Sequence, residues 1–587
     1  MCGIFAYRGI KSNAGDTILK GLKSLEYRGY DSWGIALKKV GGGLFVEKQI
    51  GQIGSASLPH IESSIGVGHT RWATHGGVTI ANAHPHISED ENIVVVHNGI
   101  VENYESLKSE LGNTYTYKSS TDSEVIVYLI EDELKKTIDF RKAVLAVFQR
   151  LEGLNAIIAL NVRTEEFVAI KNSSPLVLGV NEQTSEIIIA SDSFSILPHT
   201  NKLYFLEDNE LLYSSKNEYS VFDKEGNKKK IEFITQPIED ADLGLGDEPN
   251  YMIKEIRQQP KILENILINQ KGDVASMAEK ITQAYGTYLI GCGSAYYACL
   301  AGTYLFSKLA GVHLNASVGS EFAYAADFLK EKSLVIALSQ SGETIDIISS
   351  AKKAKEKGAY LAIMTNVLGS TLYRMADFKV LLNAGPEKCV LATKSFTAKI
   401  ALLYLAAHHM AGTGAVGEEN IQKAIDEIKK LVANGHTIRK LADKIQNKKH
   451  IYILGRGTSY PLALESALKI KEVSYIHAEG FAGGELKHGV IALIEKGTPV
   501  IIYNPEDETY QDTLSSANEV KARGAYVIGI SSRPSDVYDE YIEVKKCGEA
   551  TLIPNVVVAQ LLGYYLALAK NLDPDKPRNL AKSVTVK

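Results

Sequence analysis

Leu334-Val-Ile-Ala-Leu-Ser-Gln-Ser-Gly-Glu-Thr344 runs a short apolar segment straight into a polar turn. Five apolar residues bounded by a Ser/Gly-rich turn fit a buried strand, and residues 344–357 behind it have a helical pattern. A second strand-type run follows at 360–365, and the same alternation precedes it, with a strand at 288–290 and a helix at 297–309. Strands alternating with helices predict a parallel sheet covered by helices on both faces.

The alternation is written twice. Gly291-Cys-Gly-Ser294 returns 164 residues later as Gly455-Arg-Gly-Thr458. The same offset carries Glu321 to Glu485 and the strand at 334–338 to 498–502. After a two-residue insertion, Lys357-Gly-Ala-Tyr360 returns as Arg523-Gly-Ala-Tyr526. A register held over four features predicts two copies of one α/β subdomain, at 250–425 and 426–570, with a tail at 571–587. Residues 2–236 read differently. Short β-type runs at 2–7, 34–37, 93–96 and 156–160 are interrupted by helical stretches near 14–26 and 121–134, which predicts a layered α+β domain. The acidic, Gly-bearing stretch 237–249 between the two parts reads as a linker.

Composition narrows the function classes. Apolar residues make up 45% of the 587 and charged residues 23%, so several full cores can form. The net charge of −5, without a basic segment, argues against nucleic acid as a partner. Five cysteines without CxxC spacing predict neither a disulfide framework nor a zinc site, and point to a reducing, cytoplasmic compartment. His84 and His86 flank Pro85 without partnering cysteines, so no metal is expected. No signal peptide is read at the start, and the apolar run 556–569 reads as a buried helix too short to span a membrane.

The turn Ser339–Thr344 brings three hydroxyls and a glycine to a helix N-terminus, where free N–H groups and the helix dipole attract a phosphate. A helix cap would use the same residues. The repeat helps to decide, because the second copy places Tyr503-Asn-Pro-Glu-Asp-Glu508 at this turn, and its acids would repel phosphate. The first copy is therefore expected to hold the ligand and the second to serve as scaffold. Three more segments offer acid–base groups suited to proton transfer. They are Lys469-Ile-Lys-Glu472 in a helical stretch, the cluster Glu485-Leu-Lys-His488, and the tail Pro577-Arg-Asn-Leu-Ala-Lys-Ser-Val-Thr-Val-Lys587, which is apolar enough to dock.

The N-terminal part offers a nucleophile. If Met1 is removed, the thiol and α-amino group of Cys2 lie on one residue, and the amine can act as base for the thiol. Asn98 and Gly99 end an apolar run and can form an oxyanion hole. Arg71 can hold a carboxylate and Asp122 an ammonium, the two charges of a free amino acid.

The Ser339–Thr344 turn with its duplicated unit resembles the sugar isomerase (SIS) domains. Met1-Cys-Gly-Ile4, Tyr27-Arg-Gly-Tyr-Asp-Ser32, His69-Thr-Arg-Trp-Ala-Thr-His-Gly76, Asn82-Ala-His-Pro-His86 and Thr121-Asp-Ser-Glu124 resemble the N-terminal-nucleophile (Ntn), type 2 glutamine amidotransferase domain, an αββα sandwich. The whole chain thus resembles the glucosamine-6-phosphate synthase family. That resemblance implies glutamine-dependent amination and isomerisation of fructose 6-phosphate to glucosamine 6-phosphate, the first step of hexosamine and UDP-N-acetylglucosamine synthesis, without a cofactor. Cys2 would attack glutamine, with Asn98 and Gly99 on the oxyanion. Arg71, Trp72, Thr74, His75, Gly99 and Asp122 would shape the glutamine pocket, and Trp72 would gate an ammonia channel to the sugar. Ser294, Ser339, Gln340, Ser341 and Thr344 would grip the phosphate, and Val390, Lys469 and the Ala581 backbone the sugar. Lys582 would form a Schiff base, Glu472 would move the proton between C1 and C2, and His488 would open the ring in the neighbouring subunit of a homodimer. Ala295 and Ala392 stand where the family usually has hydroxyls, which leaves room for another ketose phosphate, and Trp33 stands where alanine is frequent. A sugar-phosphate sensor would need none of Lys582, Glu472 and His488.

Overall fold

The computed structural model describes residues 2–172, 174–216, 218–236 and 244–584. Part of the expected linker, 237–243, and Lys587 lie outside the described residues, as does Met1. The chain divides into two compact units, one comprising Met1–Leu243 with Ala581–Lys587 and the other Gly244–Leu580. The tail read from sequence as one piece is therefore shared, up to Leu580 with the second unit and from Ala581 with the first.

In the first unit, antiparallel sheets of eight and seven strands are layered with helices. Strand alternation explains the layers. In strand Gly3–Arg8, Ile4 and Ala6 join a cluster with Val94, Val96 and Ile158 of the other sheet. Phe5 and Tyr7 face the opposite way, onto Ile18 and Leu22 of helix Ala14–Leu25. The second sheet repeats the device, with Ile93 and Val95 packing against Ile126 and Ile130 of helix Glu124–Lys136. Helix, sheet, sheet, helix is thus a consequence of period-two patterning in strands that are buried on both faces.

The second unit holds two five-stranded parallel sheets. The first runs in the spatial order Asn315–Val318, Gly286–Gly291, Ser333–Leu338, Tyr360–Thr365, Phe378–Leu381. The second has the same order: His477–Ala482, His450–Gly455, Pro499–Asn504, Tyr526–Ser531, Glu540–Glu543. The repeat reaches the backbone. Gly293 and Gly457 have φ of 56° and 54°. A Cβ on Gly291 would lie 2.6 Å from the Ala295 carbonyl carbon, and one on Gly455 would lie 2.0 Å from the Ser459 oxygen. Each glycine lets a strand end pass directly under the helix that follows. In this order the connections diverge between the first and third strands of each copy, so a crevice opens at their carboxyl ends.

Helix Leu552–Ala569 is longer than the apolar run 556–569 suggested, and by length and composition alone the helical stretch could cross a membrane. Of its most apolar window 83% is buried in the fold, which makes it a core helix here.

Substitution at the two kinds of glycine should separate their roles. Gly455→Ala is expected to lower stability by at least about 2 kcal/mol through forced overlap. Gly272→Ala, in helix Lys271–Gln283 with open space around it, should raise stability by roughly 0.5–1 kcal/mol. Urea midpoints measured for both would show it, and equal midpoints would refute the close approach.

Candidate active site

Cys2 precedes the first buried strand, and its thiol is half-buried and free. The Trp72 N–H donates to Sγ at 3.2 Å, and the thiol points back to the Trp72 carbonyl at 3.6 Å. The Cys2 carbonyl accepts from Asn98 Nδ2 and from Arg28 Nε, each at 3.2 Å. Asn98 also donates to Ser191 Oγ at 2.9 Å, and Ser191 Oγ accepts the Ile4 N–H, which ties the strand behind Cys2 to its neighbours. Gly99 ends strand Ile93–Gly99 with φ +133°, and a Cβ there would sit 1.9 Å from the Leu154 oxygen.

Arg71 is the last residue of strand Ile65–Arg71. Its guanidinium donates to the carbonyls of His75, Gly76 and Gly77, so it fastens the loop that carries Trp72, Thr74 and His75. Burial lowers its pKa, while Cys2, Asp122 and Asp31 oppose that shift, which places both acids and the thiol in its field. Asp31 Oδ2 holds the loop from the other side through the Ala73 N–H at 2.8 Å. The Asp122 carboxylate is buried and accepts the Val101 N–H at 2.7 Å. Trp72 packs edge-on to Tyr30 with centroids 5.7 Å apart, and Thr74 is exposed. Trp33 lies in the helix-facing core at 1% exposure, a packing position.

Beneath this site lie four buried imidazoles. His69 stacks on His84 at 4.2 Å, His84 meets His86 at 4.5 Å, and His97 bonds Ser123 Oγ and Asn155 Oδ1, each at 2.8 Å. No group of three or more metal-binding side chains occurs among the described residues.

In the second unit, the crevice of the first copy holds the hydroxyl turn. Ser339 Oγ lies 3.0 Å from Thr344 Oγ1 and accepts the Gly342 N–H at 3.0 Å. The Gln340 carbonyl accepts the Asn366 N–H at 2.9 Å, which fixes the turn to the next strand. Thr344 stands at the N-cap position of helix Ile345–Glu356 without a side-chain cap bond, and buried Ser294 opens helix Ser294–Ala310 from the adjacent strand. The 387–393 loop is held by two buried carboxylates. Glu387 accepts from the N–H groups of Thr393 and Ser395, and Glu255 accepts from the Cys389 N–H. The Val390 N–H donates to the Asp575 carbonyl at 3.0 Å, which leaves the Val390 carbonyl as the backbone group there that remains for another partner.

Lys469 is fully buried on helix Ser459–Ser474, 2.7 Å from Glu472 Oε2 and 3.4 Å from Glu465 Oε1. Burial works against its charge, but the two carboxylates outweigh that and raise its pKa. His488 is exposed on the short turn Glu485–His488, with Lys487 paired to Glu519. Ala581 and Lys582 are half-buried and belong to the first unit.

Residues 69–198 match the glutamine amidotransferase domain, and residues 280–409 and 444–569 match the SIS domain. End to end, the chain is 40% identical over 613 residues to the glutamine–fructose-6-phosphate aminotransferase [isomerizing] of Fusobacterium nucleatum, covering 100% of both. It is equally identical over 612 residues to that of Thermococcus kodakarensis, again covering 100% of both. The chain belongs to the glutamine–fructose-6-phosphate aminotransferase family. Among solved structures, the C-terminal domain of glucosamine-fructose-6-phosphate aminotransferase from Francisella tularensis is similar at 30% identity and a TM-score of 0.51, over 57% of this chain and 100% of that one. A tagatose-6-phosphate ketose/aldose isomerase from Escherichia coli shares the fold, with a TM-score of 0.50 over 58% of this chain and 96% of its own at 19% identity.

Within this family fold, the motif reading passed over Arg28 and Asp31 as individuals, although both stand in Tyr27–Ser32, and it missed Ser191, Glu255 and Glu465. Spacing could have found Glu465, because it precedes Lys469 by one helical turn. The other two come from distant sequence and carry no local signal.

The histidines give a pH prediction. Burial pushes His69 down to about 3, puts His84 and His86 well below the ordinary value, and lowers His97 against the pull of Asp122. Below about pH 6.5 the unfolded chain takes up protons that the folded chain excludes. Stability is therefore full above that pH and lost as pH falls from there towards about 3, by up to about 1.4 kcal/mol per pH unit for each histidine. Both tryptophans, Trp33 and Trp72, lie in this unit, so urea unfolding followed by tryptophan fluorescence reports on it alone. A midpoint unchanged between pH 7.5 and 5 would contradict the burial of neutral imidazoles.

Proposed function

We propose that this protein converts glutamine and fructose 6-phosphate to glutamate and glucosamine 6-phosphate. What carries the reading is that both halves of the coupled reaction lie in one chain that aligns end to end with aminotransferases of that name. Cys2 attacks the glutamine amide carbon. Its C–S bond forms as ammonia leaves, and water then cleaves the thioester to glutamate. The Asn98 amide and Gly99 N–H receive the oxyanion, while Arg71 and Asp122 meet the two charges of glutamine within the pocket of Trp72, Thr74 and His75. Both Asn98 amide hydrogens are engaged here, so stabilising an oxyanion calls for one to leave the Cys2 carbonyl.

Ser294, Ser339, Gln340, Ser341 and Thr344 hold the sugar phosphate at the crevice. Lys582 condenses with the C2 ketone, expelling water, and ammonia then displaces the lysine at C2. Glu472 takes a proton from C1 and returns it at C2, which leaves the 2-amino aldose phosphate. Lys469, the Val390 carbonyl and the Ala581 backbone orient the sugar hydroxyls. The exposed His488 turn suits service to the sugar of a second subunit in a homodimer, where His488 opens the ring. Free thiols at all five cysteines suit a reducing cytoplasm.

Two substitutions test the division of labour. Cys2→Ala should abolish glutamate formation while fructose 6-phosphate isomerisation continues. Lys582→Ala should keep glutaminase turnover and make no amino sugar. Both products are to be assayed together. Wild-type glutamine hydrolysis by the first variant, or amino sugar at the normal rate from the second, would remove the corresponding assignment.

A further inference from the structure

Glu465, Lys469 and Glu472 stand at i, i+4 and i+7 on helix Ser459–Ser474 and share one face of it. Glu465 and Lys469 side chains have no exposure, and Glu472 is 20% exposed. Neither Glu465 carboxylate oxygen completes a hydrogen bond with the described residues, and Lys469 Nζ is 3.4 Å away. Leaving a buried carboxylate so poorly satisfied is costly, and an apolar side chain of similar volume would serve packing as well or better. The repeat shows that the fold does not ask for it. At the 164-residue offset, helix Ser294–Ala310 has Ala301 where the second copy has Glu465, and Leu305 where it has Lys469, both buried in the core.

We propose that Glu465 is a positioning residue for the sugar reaction, which shares Lys469 with Glu472 and thereby sets how strongly Glu472 binds a proton. This inference rests on the reading of Glu472 as the C1–C2 base. When Glu465 is ionised, it draws Lys469 away from Glu472 and adds a second negative charge nearby, so Glu472 is the stronger base. When Glu465 is neutral, Lys469 pairs with Glu472 alone and holds it in the ionised, weakly basic state. Burial raises the Glu465 carboxyl to about 7, with Lys469 opposing, Glu472 reinforcing and the Ser294 hydroxyl opposing. The change therefore falls in the neutral range. Other groups face the cluster. The Tyr297 phenol comes from helix Ser294–Ala310, its pKa raised by burial and then by Glu465, and the Cys389 thiol of the 387–393 loop acts on Lys469. Burial lifts the phenol above its ordinary value, so it is uncharged near pH 7.

The test measures exchange of solvent deuterium into fructose 6-phosphate, with isomerisation, across pH 6 to 8.5 in the full-length protein. Glu465→Gln is expected to lower kcat about tenfold, with KM within about twofold, and to remove the fall in rate on the acid side of about pH 7. Glu465→Asp should restore part of that limb. A Glu465→Gln enzyme with wild-type kcat and an unchanged acid limb would overturn the proposal. Glu472→Gln is the reference. If it exchanges at the wild-type rate, the base assignment itself fails. If it is inactive while Glu465→Gln is normal, this inference alone fails. Should Glu465→Gln not fold, infrared difference spectra of the wild type decide. A neutral buried carboxylic acid band present at pH 6 and lost by pH 8.5 supports the proposal, and its absence at pH 6 overturns it.

Discussion

The second unit depends on how closely a parallel strand can end beneath the helix it feeds. At Gly291 and Gly455 the strand backbone meets the first turn of the following helix, at 2.6 Å and 2.0 Å from where a Cβ would be. That approach brings the loop of each first strand beside the turn after the third, and so builds a crevice twice. What differs is the chemistry placed there. The first crevice presents Ser294 and the turn from Ser339 to Thr344, with hydroxyls and N–H groups that suit an anion. The second fills the corresponding turn with Glu506, which pairs with Arg533 and accepts the Ser532 hydroxyl, so its charge is spent internally. Duplication supplies the geometry, and divergence leaves an anion-suited turn in one copy only among the described residues.

Carboxylates inside the second unit then divide into two kinds. Buried Glu255 and Glu387 and half-buried Asp575 accept backbone N–H groups. Asp575, for example, takes those of Tyr251 and Met252, each at 2.7 Å, at the start of helix Tyr251–Asn269. Charge-assisted bonds of this sort, worth roughly 1.5–3 kcal/mol each, make such residues fasteners for the Val390 loop and the chain beyond Pro574. Glu465 has no such bonds, and its nearest cation is shared. A side chain that burial penalises without backbone partners is better explained by the reaction than by the fold.

How much of this was legible depended on the range of the signal. Period-two and helical patterns are local, and the strands at 93–96 and 360–365 emerged as Ile93–Gly99 and Tyr360–Thr365. The repeat was legible because glycines at fixed spacing mark backbone constraints rather than side-chain preference. The motifs gave the residues around Cys2, but they did not show that Arg71 spends its guanidinium on loop carbonyls. Nor did they show that Ser191, some 190 positions away, shares the Asn98 amide with the Cys2 carbonyl. The Ser191 partnership arises from antiparallel pairing of Gly3–Arg8 with Glu186–Ala190, whose register no local pattern encodes.

That pairing has a consequence for catalysis. The Asn98 amide is held on two sides, by Ser191 Oγ at 2.9 Å and by the Cys2 carbonyl at 3.2 Å. The shorter bond anchors the side chain to the sheet. The longer one reaches the Cys2 backbone and is the easier to exchange. An oxyanion forming beside Cys2 Sγ offers a charged acceptor, and hydrogen bonds to charged groups are about twice as strong as those to a neutral carbonyl. In the glutaminase step proposed above, the exchange would therefore be favourable only once charge has developed, so the donor would contribute more to the transition state than to bound glutamine. Arg28 Nε, which also bonds the Cys2 carbonyl at 3.2 Å, keeps that oxygen satisfied when Asn98 turns away.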